Sequence, residues 1–151
     1  MNKIKRVMIF IDGSNFYFKM KSLGIRNLKK YGYHKLCENL SGNREIASIG
    51  YYIGVVRAKP NDEKGQKLRK NQVDLFNHLR NENVFVYKGY LMKNDGVYHE
   101  KGVDVKIAAK QLGKSVEYVG FGHQPSLALV SAASRSRLLL VEELEKFVFE
   151  T

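Results

Sequence analysis

At 151 residues, with 44% apolar and 27% charged residues, the chain has the size and composition of one folded domain, so disorder is not the default. Twenty-six Lys and Arg against fifteen Asp and Glu leave a formal charge of +11, which makes a polyanion the natural partner and favours nucleic acid over a membrane surface. No stretch approaches transmembrane length, and the basic N-terminus meets Asp12 too early for a secretory signal, so a cytoplasmic location without membrane contact is expected.

Residues 7–11 form a continuous apolar run, as in a strand buried on both faces of a parallel sheet, and Asp12-Gly13 reads as its turn. Ser14 is placed to cap a helix running to about Leu23, and residues 33–40 suggest a further short helix broken by Ser41-Gly42-Asn43. Cys37, between Leu36 and Leu40, fits a buried thiol in a reducing compartment better than a nucleophile. Residues 45–56 are rich in β-branched and aromatic side chains and read as a second strand. After Pro60, Asn61 can cap a long helix with apolar positions Leu68, Leu75, Phe76 and Leu79. Residues 83–92 give a third strand, Asn94-Asp95-Gly96 a turn, and residues 101–112 a helix. Residues 126–131 (SLALVS) read as a fourth strand and residues 138–147 (LLLVEELEKF) as a closing helix. Strands alternating with helices imply a single α/β domain over 1–151, with a mainly parallel sheet.

In an open parallel sheet, ligands bind outside the carboxyl ends of the strands. Asp12 stands at such an end, and Asn15 follows within one helical turn, so both can face one crevice. The competing reading makes Asp12 a turn or helix-end residue satisfying backbone donors. Asp104 falls among Val103, Val105, Ile107, Ala108 and Ala109, which suggests a partly buried carboxylate in need of a partner. Its ordinary alternative is a first-turn acid favoured by the helix dipole, worth about 0.3 to 1 kcal/mol. Arg57, Lys59, Lys64, Lys67, Arg69 and Lys70 cluster from the second strand into the long helix as a phosphate-binding surface, and Lys101 shares the neighbourhood of Asp104. Individually, such lysines more often decorate a solvated helix face. Lys67, Asn71 and Asp74 share one helical face. His34, His78, His99 and His123 lack zinc-ligand spacing, and Tyr17, Tyr51, Tyr52 and Tyr90 are read first as core residues rather than base-stacking ones.

The stretches FIDGSNFYF and, far downstream, EKGVDVKIAA together resemble the NYN domain family of PIN-like nucleases, over about residues 7–109. The resemblance implies a Rossmann-like three-layer sandwich and metal-dependent RNA cleavage. It matches Asp12 and Asp104 to the family's metal-binding acids and Asn15 to its active-site asparagine. Mg²⁺ or Mn²⁺ suits such a pair, because hard cations take one or two carboxylates together with waters and substrate phosphates.

The chain departs from the family pattern further on. A Ser-Gly-Asp-x-Asp motif is expected after the fourth strand, and this chain has SAASRSR there: Ser131 matches the serine, but Ala132, Ala133 and Arg135 stand where the glycine and acids belong. From Tyr118 to Val141 there is no carboxylate, and Arg135 and Arg137 add positive charge. Three readings follow: a weakened ribonuclease in which another acid such as Asp74 helps, an inactive RNA-binding or regulatory module that uses the basic face, or a chain altered after about residue 118 by a reading-frame disturbance. A final edge strand is expected to be reduced to FVFE or lost, and an open sheet edge can support a homodimer.

Overall fold

The computed structural model describes residues 3–89 and 112–149. They fall into two compact units, one built from Met1–Leu91 with Glu145–Thr151 and the other from Met92–Leu144. The architecture is mixed α/β, and every strand ladder among the described residues is parallel, as the alternation of elements implies.

The first unit carries a three-stranded sheet in the order β1 (Arg6–Asp12), β2 (Glu45–Gly54), β3 (Phe85–Gly89). Helices α1 (Gly13–Ser22) and α2 (Tyr33–Ser41) make the first crossover, and α3 (Glu63–Asn81) makes the second. Both long helices are capped by aspartates: at α1 this is the helix-end role that the sequence left open for Asp12, and at α3 the cap is the neighbour of the expected Asn61. Asp12, not Ser14, caps α1 by accepting the Asn15 N–H at 3.2 Å, and Asp62, not Asn61, caps α3 through the Gly65 N–H at 3.0 Å. A carboxylate in this position satisfies an orphan donor and also meets the positive end of the helix dipole, which a hydroxyl or amide does less well.

The core lies where α1, α2 and α3 meet one face of the sheet. Leu75, Phe76 and Leu79 of α3 are buried as their spacing predicts, whereas Leu68, one turn too near the helix start, is 48% exposed. Tyr31, Tyr33 and Tyr51 are fully enclosed, and their rings meet edge-on, with centroids 5.2 Å apart for Tyr31–Tyr33 and 5.9 Å for Tyr33–Tyr51. Hydroxyls and backbone in this cluster are tied by hydrogen bonds. Tyr33 donates to the Leu28 carbonyl at 3.0 Å, Tyr51 donates to the Gly13 carbonyl at 3.1 Å, and His78 Nε2 reaches the Tyr31 carbonyl at 2.7 Å. Burial pushes all three phenols well above their ordinary range. Cys37 is a buried free thiol whose pKa burial, helped by Glu82 and Glu38, pushes up to about 12. At that value it is an inert filler, as its sequence position suggests. At the chain's far end Phe147 accepts the Gly32 N–H at 2.7 Å, and Val148 forms a lone antiparallel bridge to Tyr31. That bridge is what the described residues retain of the reduced edge strand.

The second unit overturns two expectations. SLALVS is not a strand: Ser126 caps a short helix, α4 (Leu127–Ala132), by accepting the Leu129 N–H at 3.4 Å. The strands are instead β4 (Glu117–Phe121) and β5 (Arg135–Leu139), paired in register from Glu117↔Arg135 to Phe121↔Leu139. The expected closing helix is therefore divided, since Leu138 and Leu139 end β5 and only α5 (Val141–Glu145) is helical. A six-residue apolar run does not distinguish a strand from a helix by periodicity, and here the serine cap decides the outcome.

Candidate active site

Strand β1 delivers Asp12 to its carboxyl end, and the chain turns directly into α1. Gly13 is not a turn residue but the first residue of that helix. It is glycine because the Tyr51 ring lies against it: a Cβ there would collide with the ring. The closure of strand onto helix thus depends on one missing side chain and on the Tyr51 hydroxyl bonded to the Gly13 carbonyl.

Asp12 is exposed, and among the described residues no Lys, Arg or His pairs with it. One of its oxygens caps α1. Capping and ligation are compatible, because a carboxylate offers about four lone-pair sites and the cap uses one. The negative charge also contributes, with burial, to the upward shift of the adjacent Tyr51 phenol. Asn15 gives the cap its backbone N–H, which leaves its exposed side-chain amide outside that bond.

The basic residues follow from the next strand. Beyond β2, Gln72 of α3 donates to the Gly54 carbonyl at 3.0 Å and accepts the Val56 N–H at 2.9 Å. This pair of bonds sets where the chain leaves the sheet and so places Arg57. Arg57, Lys59, Lys64, Lys67 and Lys70 are all exposed, the last three on the first half of α3. Sequence reasoning missed Gln72, whose only signal is an amide inside a helix that otherwise buries apolar residues.

Asp74 has a different employment. Lys29 Nζ lies 3.2 Å from its carboxylate and 2.9 Å from Asn71 Oδ1, so the face shared by Asn71 and Asp74 ties α3 to the turn Leu28–Lys30. Among the described residues no three His, Cys, Asp or Glu side chains are grouped to hold a metal. Asp104 and Lys101 lie outside the described residues. Ser131 is exposed within α4 and not at a strand end. Arg137 and Arg135 belong to β5, where Arg137 pairs with Glu143 at 3.0 Å and Arg135 stands level with Glu117. His34 and His78 serve backbone carbonyls, as expected of ordinary structural histidines.

The model of the NYN domain family matches residues 6–112, which include Asp12, Asn15 and the basic residues just described. The chain belongs to the NYN domain family. NYN domains are part of the PIN-like nuclease superfamily, so this is a nuclease-type α/β fold. The match stops at Leu112, before α4 and β5. Among curated proteins none matches the NYN chain. Among solved structures it is similar to a Vibrio parahaemolyticus protein of unknown function, at 14% identity and a TM-score of 0.53, covering 95% of this chain and 98% of that one. That likeness concerns the fold alone. No helix of the described residues is long and apolar enough to cross a membrane.

Proposed function

We propose that this NYN domain hydrolyses RNA phosphodiester bonds in a reaction that depends on a divalent metal and is centred on Asp12. The observation that carries the reading is an exposed carboxylate, unpaired among the described residues, at the carboxyl end of a parallel strand inside the family match. Strand ends of this kind are where open α/β sheets bind ligands. The donor set fits a hard cation: Asp12 offers oxygen, and Asp104, matched to the second family acid, would complete a pair. Bound there, Mg²⁺ or Mn²⁺ would lower the pKa of a water and offset charge building on the phosphate. Asn15, one turn from Asp12, would orient that water or a phosphate oxygen through its amide. Arg57, Lys59, Lys64, Lys67 and Lys70, with Lys101, would hold the flanking phosphates and set the direction of the RNA strand.

The decisive variant is Asp12→Asn. Asparagine caps helices about as well as aspartate, so α1 keeps its start while the carboxylate charge is lost. Cleavage of a labelled RNA in Mg²⁺ or Mn²⁺ should fall to background in Asp12→Asn and in Asp104→Asn, with far-UV circular dichroism unchanged. Equal cleavage by parent and both variants would overturn the reading, as would a parent that cuts nothing in either metal.

A further inference from the structure

Helix α3 buries Leu75, Phe76 and Leu79, and Gln72 stands on the same stripe one turn earlier. An apolar residue would be the ordinary choice there, because a half-buried amide costs free energy unless its polar ends are bonded. Both ends of Gln72 are bonded, Nε2 donating to the Gly54 carbonyl at 3.0 Å and Oε1 accepting the Val56 N–H at 2.9 Å.

A donor and an acceptor that reach residues i and i+2 of one strand reproduce what a single residue of a parallel neighbour does. The direction of those bonds shows which neighbour is replaced. Between them, the Val55 N–H bonds the Gly89 carbonyl of β3 at 3.2 Å, and successive strand residues turn their polar groups to opposite sides, so Gly54 and Val56 turn toward β1. Strand β1 has by then ended, with Asp12 level with Tyr52, and the chain has entered α1. Gln72 thus fills the place that β1 would hold about three residues, roughly 10 Å, past Asp12. A second anchor follows close behind. The Lys59 carbonyl accepts both Gln66 Nε2 at 3.1 Å and the Asp62 N–H at 3.0 Å, so Arg57 lies between two points tied to the start and middle of α3.

We propose that Gln72 is a positioning residue for the RNA backbone, which by holding Val56 sets Arg57 at a fixed offset from Asp12. The proposal rests on the reading of Arg57 as a phosphate contact and adds the residue that aims it. The Gln72 amide is engaged with backbone, so it acts through Arg57 and not on RNA itself. A cation held in place before binding keeps the energy that ordering a loose loop would cost. Without Gln72, the Val56 N–H and Gly54 carbonyl lose their partner and the loop loses its first anchor.

The test measures binding of a twelve-nucleotide oligouridine by fluorescence anisotropy, with EDTA present and in 0.1 M salt. One phosphate contact on a single strand carries a salt slope of about 0.7, so its loss costs about fivefold at that salt. Arg57→Gln should weaken binding by about that factor, Gln72→Met should do about the same, and the two together should do no more. Lys64→Gln, a cation whose place on the helix does not depend on Gly54 and Val56, should instead multiply with Gln72→Met. A merely structural Gln72 would weaken binding equally in the Arg57→Gln and Lys64→Gln backgrounds, and that result would overturn the proposal. Parent affinity in Gln72→Met or in Arg57→Gln would overturn it too, leaving the ribonuclease reading to the other cations. Should Gln72→Met not fold, hydrogen exchange in the parent decides: the Val56 amide should be protected in the free protein and no slower with oligouridine bound. A Val56 amide that exchanges freely until RNA is added would show that RNA, not Gln72, orders the loop. A parent that binds no oligouridine would remove the reading on which the proposal rests.

Discussion

Asp12 is open to two readings that a sequence cannot separate, because a helix cap and a metal ligand can both place a carboxylate at the end of a strand. The structure shows the cap directly, through the Asn15 N–H. The substitutions therefore divide the roles: Asp12→Ala should lose about 1 kcal/mol of stability on a urea titration, while Asp12→Asn should lose only a few tenths. Gly13 gives the complementary lesson. As the first residue of α1 it would, by helix propensity alone, gain up to about 1 kcal/mol from alanine. With the Tyr51 ring where a Cβ would go, Gly13→Ala should instead destabilise by about 1 to 3 kcal/mol, the usual cost of overpacking. If its urea midpoint equals or exceeds that of the parent, the close approach of Tyr51 is not what requires glycine here. Nothing in the residues around Gly13 announces a tyrosine 38 positions away, which is why this contact was not legible beforehand.

At the scale of elements, what could be read depended on length and pattern. β1, β2 and α3 are long enough for composition and periodicity to agree, and their parallel pairing follows from the alternation of strands and helices. The short elements of the second unit lack that redundancy. β4 carries no clear strand pattern because its five residues mix Glu117 and Gly120 with aromatics, and α4 reads like a strand because six residues complete fewer than two helical turns. Asp12 and Asn15 stood out because a carboxylate interrupts an apolar run. The stacking of the Tyr52 ring on the Tyr87 ring did not, since it depends on cross-strand register, which a single sequence does not display. Within α3 the burial contrast can be measured. Leu79→Ala, at a fully enclosed position, should cost about 2 to 5 kcal/mol in denaturant unfolding. Leu68→Ala, on the exposed first half of the same helix, should stay within about 0.5 kcal/mol of the parent. Equal losses would mean that α3 packs along its whole length and that its basic half is not available to phosphates.

For the whole molecule the governing quantity is charge. Twenty-six basic side chains against fifteen acidic ones are spread over the chain, and a surplus of this kind attracts any polyanion without locating it. In the proposed function, what locates it is the sequence of exposed cations after β2: Arg57 and Lys59, then Lys64, Lys67 and Lys70 on α3. If all five neutralise phosphates of a single strand, each releases about 0.7 counterion, so the logarithm of the association constant should fall with the logarithm of salt at a slope near −3.5. Removing two of them, as in Lys64→Gln with Lys67→Gln, should reduce the magnitude of that slope by about 1.4, whereas neutral substitutions at the far ends of the helix should not. Binding carried by these side chains needs no divalent ion, so EDTA should leave the titration unchanged even as it stops cleavage. The two readouts therefore part the electrostatic track from the chemistry at Asp12. A slope near zero, or one that ignores Lys64 and Lys67, would move the RNA path off α3 altogether. A slope that keeps its value while cleavage is lost in Asp12→Asn would show that the basic track and the carboxylate act in sequence on one strand of RNA.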